Sequence, residues 1–416
     1  MRTAPLDVRA STLAERYLQV RAMTEELAAP LSAEDQMVQS MADASPTKWH
    51  RAHTTWFFET FILLPHARGY RPFDERFTFL FNSYYKRLGG HPVRAQRGLW
   101  SRPSLAEVGD YRAHVDRHIA AMLSDGVSPE IERLLELGVN HEQQHQELIL
   151  TDIKHALWVN PLQPAYTESS TEPRCQAAPM QWLDYPGGER EIGYRGDGFC
   201  FDNETPRHSL LLRPFRLASR LITSGEYLEF MNDGGYRRPE LWLSEGWDEA
   251  CGNAWDAPLY WHRDGDRWLQ FTLAGERDVE PAEPVCHVSY FEADAYARWA
   301  GARLPLEAEW EVAATALPVA GNLLEERRLH PAAARGSGLQ QMFGDCWEWT
   351  ASPYVGYPGY QPDPGALGEY NGKFMCNQMV LRGGSCATPR SHVRSSYRNF
   401  FPARARWQFS SLRLAK

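Results

Sequence analysis

Apolar residues step by threes and fours from the start of this chain to Trp158, and lose that rhythm afterwards. Leu13, Tyr17, Val20, Met23 and Leu27 share one face of a helix expected from about Ser11 to Leu27. Pro30 ends it, and Ser32, with Glu34 and Asp35 at the positive helix end, predicts a second short helix. Ser45-Pro46 reads as an N-cap followed by proline at the first helical position. The helix it opens runs from Thr47 and stops before Pro65, with Trp49, His53, Trp56, Phe57 and Thr60 on one face. His53 is then the inward histidine and His50 the peripheral one. A loop-rich crossover from Gly69 to Pro103 leads to two more helices, Ser104–Ser124 and Ser128–Trp158. Helices joined by one long connection and short turns predict a four-helix bundle.

From Asn160 to Pro179 the sequence is rich in Pro, Ser, Thr and Glu without periodicity, as a linker is. Beyond it Gly, Trp, Tyr and Phe rise and the strands shorten. Thr223 with Glu226, and Ser289 with Glu292, fit the reciprocal cap that starts a helix. The second of these helices is expected over Phe291–Ala300, ahead of Gly301, and another over Leu306–Thr315. The division is therefore 1–158 helical bundle, 159–180 linker and 181–416 irregular α+β domain, an α+β multidomain protein.

Composition narrows the field. Of 416 residues, 43% are hydrophobic, 12% aromatic and 23% charged, enough apolar material for two cores. A net charge of -9 argues against general nucleic-acid binding. No apolar run approaches a membrane span, and the first residues lack a secretion signal's apolar core. The 7 cysteines are scattered without a close C-x-x-C pair, which suits reduced thiols in the cytoplasm.

The candidate chemistry sits in Asn140-His-Glu-Gln-Gln-His-Gln-Glu147. His141 and His145 lie one helical turn apart, on a stripe with Leu134, Gly138, Leu148 and Asp152 that should face inward. Two imidazoles so placed can hold one metal ion, and His53 is the candidate third ligand from the facing helix. The same stretch fits H-E-x-x-H, the zincin pattern, with Glu142 as base. A zincin needs a third ligand downstream, and His155 lies on the wrong turn of the same helix. In the crossover, Asn82-Ser83-Tyr84-Tyr85 followed by Arg94 and Arg97 could line a pocket for an anionic substrate.

Several stretches now carry a resemblance. FDNETPRH from Phe201, ITSGEYLEFMNDGGY from Ile222, HVSYFEADAYARWAGARLP from His287, then EAEWEVAA, CWEWTAS and LRGGS resemble the formylglycine-generating-enzyme or sulfatase-modifying-factor fold, a C-type-lectin-like domain. The first half resembles a DinB-type bundle. The pair looks like the iron(II)-dependent sulfoxide synthases of ergothioneine biosynthesis, the hercynine oxygenases. The resemblance implies Fe(II) on His53, His141 and His145, a structural Ca(II) in the second domain, and small-molecule substrates: hercynine, cysteine and O2. It gives Glu147 a supporting place rather than a ligand's. Phe400 and Phe401 follow Asn399 where relatives that use γ-glutamylcysteine carry Trp-Asp, so the expected donor is free cysteine, with γ-glutamylcysteine or another sulfur or selenium donor as the alternative. By the same resemblance the catalytic phenol is Tyr85 or Tyr84 in its place, Arg94 and Arg406 hold the cysteine carboxylate, and Gln144 and Asn399 contact hercynine. Phe400 or a nearby Trp is the expected face for the quaternary ammonium of hercynine. Cys386 directly follows Ser385, with no cysteine after it, so the thiol pair of a formylglycine-generating enzyme is broken.

Overall fold

Reciprocal caps start two of the bundle helices. In the computed structural model, which describes residues 12–168 and 176–416, α1 spans Leu13–Ala28 and is boxed by Thr12 and Glu15. Ser11, its expected start, lies outside the described residues. α2 spans Thr47–Phe58, α3 Leu105–Asp125 and α4 Pro129–Val159. Ser104 and Glu107 box α3 as Thr12 and Glu15 box α1. Together the helices form the first of two compact units, Met1–Val159 with Gly365–Leu367; the second is Asn160–Pro364 with Gly368–Lys416. Residues 169–175 of the expected linker lie outside the described residues. Among the described residues no helix is long and apolar enough to cross a membrane.

Three details of the first unit differ from the sequence pattern. The short helix at Ser32 is a single 3-10 turn, Asp35–Met37, closed by reciprocal Ser32 and Asp35 bonds. Ser45 does not cap α2: Pro46 takes that place, and the Ser45 N–H donates to Asp152 Oδ2 at 2.8 Å. The helix also outruns its expected stop, through a π-helical turn, Glu59–Leu63, to His66. The buried Glu59 in that wide turn accepts from Tyr70 Oη, Tyr111 Oη and the Phe73 N–H.

All 12 residues of α2 are buried, so it is the bundle's central rod. The rod and α4 meet closely at Gly138, where an added Cβ would fall 2.4 Å from the Phe58 ring. One turn on, Glu142 is fully buried between Arg21 (2.8 Å) and Arg112 (3.0 Å) and accepts from Thr24 (2.7 Å). Burial pushes the Glu142 carboxyl up, and the two guanidiniums more than reverse this, holding it ionised.

The second unit is built from short strands. β1 (Trp182–Tyr185) pairs antiparallel with β4 (Phe215–Ala218), and β2 (Gly188–Ile192) with β3 (His208–Leu212). β5 (Trp261–Asp264), β6 (Arg267–Thr272) and β7 (Gly275–Asp278) form a meander. The fourth sheet has the order β10-β9-β8-β11, from β8 (Trp347–Pro353), β9 (Met379–Arg382), β10 (Asn399–Phe401) and β11 (Ser410–Ser411), and only β11 runs parallel to its neighbour. Helices α5 (Ser224–Asn232) and α6 (Ser244–Gly252) precede α7 (Tyr290–Trp299) and α8 (Glu307–Ala314). Thr223 and Ser289 cap α5 and α7 as their spacing predicts. Leu306 has no side-chain oxygen to cap α8, and its N–H donates to Glu309 instead. Asp345, 5% exposed, accepts from Asn322 and the Ala332 N–H, and burial pushes its carboxyl up to about 6.

Two outcomes follow. Gly138→Ala should destabilise the protein by about 1–3 kcal/mol through overpacking, outweighing alanine's helix propensity, read as a lower urea midpoint. Asp345 stays protonated in the folded chain to a higher pH than in the unfolded one, so it weakens folding as pH rises from about 4 to 6. Its shift corresponds to roughly 3 kcal/mol, and Asp345→Asn should flatten that part of the stability–pH curve.

Candidate metal centre

His53 projects from α2, and His141 and His145 from α4, so that one donor atom from each lies within 4.8 Å of the others. Ring centroids are 5.0 Å (His53–His141), 4.8 Å (His53–His145) and 4.6 Å (His141–His145) apart. Among the described residues this is the one cluster of three or more His, Cys, Asp or Glu side chains arranged to hold a metal ion. His53 is clasped by its own helix: Trp49 stacks on it at 4.5 Å and Trp56 at 5.5 Å, at interplanar angles of 13° and 16°. Those residues stand four before and three after it, on the same helix face. The crossover fixes the ring's rotation, because His53 Nδ1 donates to the Phe81 carbonyl at 2.6 Å, leaving Nε2 as its lone-pair nitrogen. Phe57 packs on His141 at 4.8 Å.

Burial sets the charge state. It pushes His141 down to about 3, and His53 and His145 well below the ordinary histidine value, where neighbouring imidazoles reinforce the shift. All three are neutral at pH 7, which is the metal-binding form. Three neutral imidazoles suit zinc, iron, copper or nickel, so the donor set fits a transition metal without selecting one.

His50 is a correction to the sequence pattern. It is 2% exposed rather than peripheral, with Nδ1 2.8 Å from His145 Nδ1 and Nε2 3.0 Å from Asp152 Oδ2. Burial, opposed by Asp152, pulls it below the usual histidine value. Asp152 on the His141/His145 stripe was the available signal for this partner. In the sequence Arg97 is one of the spaced arginines of the crossover. It is buried, with its guanidinium carbon 3.4 Å from the centre of the Trp49 ring and Nη1 on Ser45 Oγ at 2.9 Å. Burial and Arg94 push it down to about 9. Arg94 itself is exposed and donates to the Asp43 carbonyl.

Tyr85 is fully buried against Trp56 (5.5 Å) and Phe61 (5.2 Å), and the half-buried Tyr84 stacks on it at 4.7 Å. Asn82 shapes this corner, accepting from the Tyr85 N–H and donating to the Tyr85 carbonyl, both at 3.1 Å. Gln144 is half-buried beside His145. His155 pairs with Ser40 at 2.7 Å, outside the cluster. Glu142 is locked between two arginines, which removes it as the base of a zincin.

In the second unit, Asn399, Phe400 and Phe401 lie half-buried on β10. Phe400 stacks on Tyr354 at 4.0 Å, Phe401 meets Trp407 edge-on at 5.6 Å, and Asn399 Oδ1 accepts from the Phe400 N–H. Arg406 donates to Glu292 at 2.9 Å and to the Ala257 carbonyl, and lies over Trp255 at 4.2 Å. Cys386 is fully buried.

Residues 167–334 and 328–416 match the family described as the sulfatase-modifying factor enzyme 1-like domain, so the fold is a helical, histidine-bearing unit followed by a domain of that class. A hercynine oxygenase of Mycolicibacterium smegmatis is 36% identical over 310 residues, 67% of this chain and 70% of that protein. One from Mycobacterium tuberculosis is 34% identical over 333 residues, 71% of this chain and 73% of that protein. The ergothioneine biosynthesis protein 1 of Schizosaccharomyces pombe is 29% identical over 229 residues, 52% of this chain and 28% of that protein. The chain belongs to the hercynine oxygenase family.

Glu142→Ala removes the buried carboxylate shared by Arg21 and Arg112, whose remaining carboxylate partners are Asp116 and Glu25, so it should cost about 3–5 kcal/mol of stability, measured by denaturant unfolding. A zincin base would instead be lost with little change in stability.

Proposed function

We propose that this chain is an iron(II)- and O2-dependent sulfoxide synthase of ergothioneine biosynthesis, joining the sulfur of cysteine to C2 of the hercynine imidazole. The observation that carries the proposal is the cluster of three neutral imidazoles, His53, His141 and His145, in a chain of the hercynine oxygenase family. These residues would hold the ion and leave its remaining positions to substrates. Iron(II) held by these three residues would supply the electron-transfer chemistry that O2 requires. The reaction balances as thiol plus imidazole plus O2 giving sulfoxide plus water. O2 takes four electrons, two as the S–C bond forms and two as the sulfur is oxidised. One oxygen stays on sulfur, and the other leaves as water with the S–H and C2–H hydrogens.

The protein's part is to position groups and move a proton. The Tyr84/Tyr85 pair supplies a phenol as proton donor, and Arg94, with Arg97 beside it, supplies positive charge for the cysteine carboxylate. Gln144 adjoins His145 along α4, which supports its reading as a hercynine contact. In the second unit, the assignments of Asn399 to hercynine, Phe400 to its quaternary ammonium and Arg406 to the cysteine carboxylate rest on the family resemblance. Phe401, a neutral ring where γ-glutamylcysteine users carry Asp, supports the smaller donor.

The test is anaerobic loading with iron(II), then O2 uptake with hercynine and either cysteine or γ-glutamylcysteine, with products read by mass. A cysteine–hercynine sulfoxide that disappears in His53→Ala is expected. Product from γ-glutamylcysteine alone would overturn the donor, and no hercynine-dependent O2 uptake in iron-loaded protein would overturn the reaction. Tyr84→Phe and Tyr85→Phe then locate the proton donor: one of them should lower the sulfoxide rate by about 100-fold or more. Full activity in both removes the phenol from the mechanism.

A further inference from the structure

The environment of His145 has a directionality that its place as a ligand does not require. Asp152 Oδ2 accepts the Ser45 N–H at 2.8 Å and lies 3.0 Å from His50 Nε2. Beside that oxygen, His50 carries its proton on Nε2, because a carboxylate offers only acceptors. A neutral imidazole with Nε2–H presents a bare lone pair at Nδ1. That lone pair lies 2.8 Å from His145 Nδ1. The contact closes only if His145 carries its proton on Nδ1, which leaves its lone pair at Nε2. His53 reaches the same tautomer by a different route, through the Phe81 carbonyl.

We infer that Asp152 and His50 form a hydrogen-bonded relay that fixes the tautomer and rotation of His145 and so presents its Nε2 to the metal ion. The inference rests on the three-histidine centre. Both are positioning residues: neither is among the three clustered donors. The relay is built rather than incidental. Asp152 is held by backbone from the start of α2, His50 is fixed at both ring nitrogens, and both side chains are more than nine-tenths buried. It also gives Ser45 its use, since the residue that fails to cap α2 anchors the far end of the chain of bonds.

Metal binding tests this in the full-length protein, with cobalt(II) alone as the probe and iron(II) under anaerobic conditions as the second. Affinity is read by equilibrium dialysis and geometry by the visible absorption bands of cobalt(II). His50→Leu and Asp152→Ala should each weaken cobalt(II) binding about 10–100-fold and change the band pattern. His50→Gln should stay within a few-fold of the unaltered protein, because its amide offers an acceptor and a donor spaced much like the two ring nitrogens. Unchanged affinity and bands in either His50→Leu or Asp152→Ala would overturn the relay. So would a His50→Gln variant that is folded by circular dichroism and as weak as His50→Leu. His53→Ala separates the two levels: cobalt(II) binding that survives it would overturn the metal centre and the relay together. Loss in His53→Ala with full retention in His50→Leu would overturn the relay alone.

Discussion

Three imidazoles held neutral inside a helical bundle are the constraint around which the first unit is arranged. A buried ring nitrogen without an accounted partner costs about 1–3 kcal/mol, and an ion more, so each ring must be oriented by its surroundings before a metal can be held. The bundle does this with aromatic faces and a few directional bonds. Trp49 and Trp56 clasp His53 from its own helix, Phe57 covers His141, and the carbonyl of Phe81 fixes which nitrogen of His53 keeps its lone pair. The low dielectric that makes the rings expensive to bury also keeps them unprotonated, the form a metal requires.

The ionic layer one residue from His141 has a different part. Glu142 ties α4 to Arg21 on α1 and Arg112 on α3, and Arg21 also reaches Asp116 at 2.7 Å. Breaking such buried pairs is costly, so they hold the rotation of α4 about its own axis. Neighbouring residues on one helix thus face different ways, about 100° apart, His141 to the histidine cluster and Glu142 to the arginines. The crossover completes the arrangement. Lys48 on α2 gathers the carbonyls of Trp100, Ser101 and Pro103, which pins the end of that long connection, while Asn82 shapes the corner that presents Tyr85 to Trp56.

The second unit is stabilised by other means. Its sheets are small, and its core depends on aromatic packing and on buried ion pairs such as Arg413–Glu348 and Arg398–Glu307. Cys286, Cys346 and Cys386 are buried cysteines, and burial together with Cys286 raises the Cys346 thiol. These are inert packing residues by environment rather than nucleophiles.

Much of this protein is legible in one dimension because helices repeat. The spacing of apolar positions located α1 to α4, the S/T-x-x-E pairs located the starts of α5 and α7, and the i, i+4 histidines with His53 anticipated the donor cluster, since all three depend on local periodicity. What a helical wheel cannot supply is which partner waits on the other side. His50 and Ser45 read as peripheral ring and helix cap, yet both turn inward to Asp152, more than 100 residues away along the chain. Arg97 and Phe81 sit in a loop with no period, and only the folded crossover puts one over Trp49 and the other against His53. The sequence by itself determined the four long bundle helices and the spacing that brings His53, His141 and His145 together. The tertiary structure alone decided their tautomers, their burial and the bonds that aim them, because these depend on contacts between segments distant in sequence.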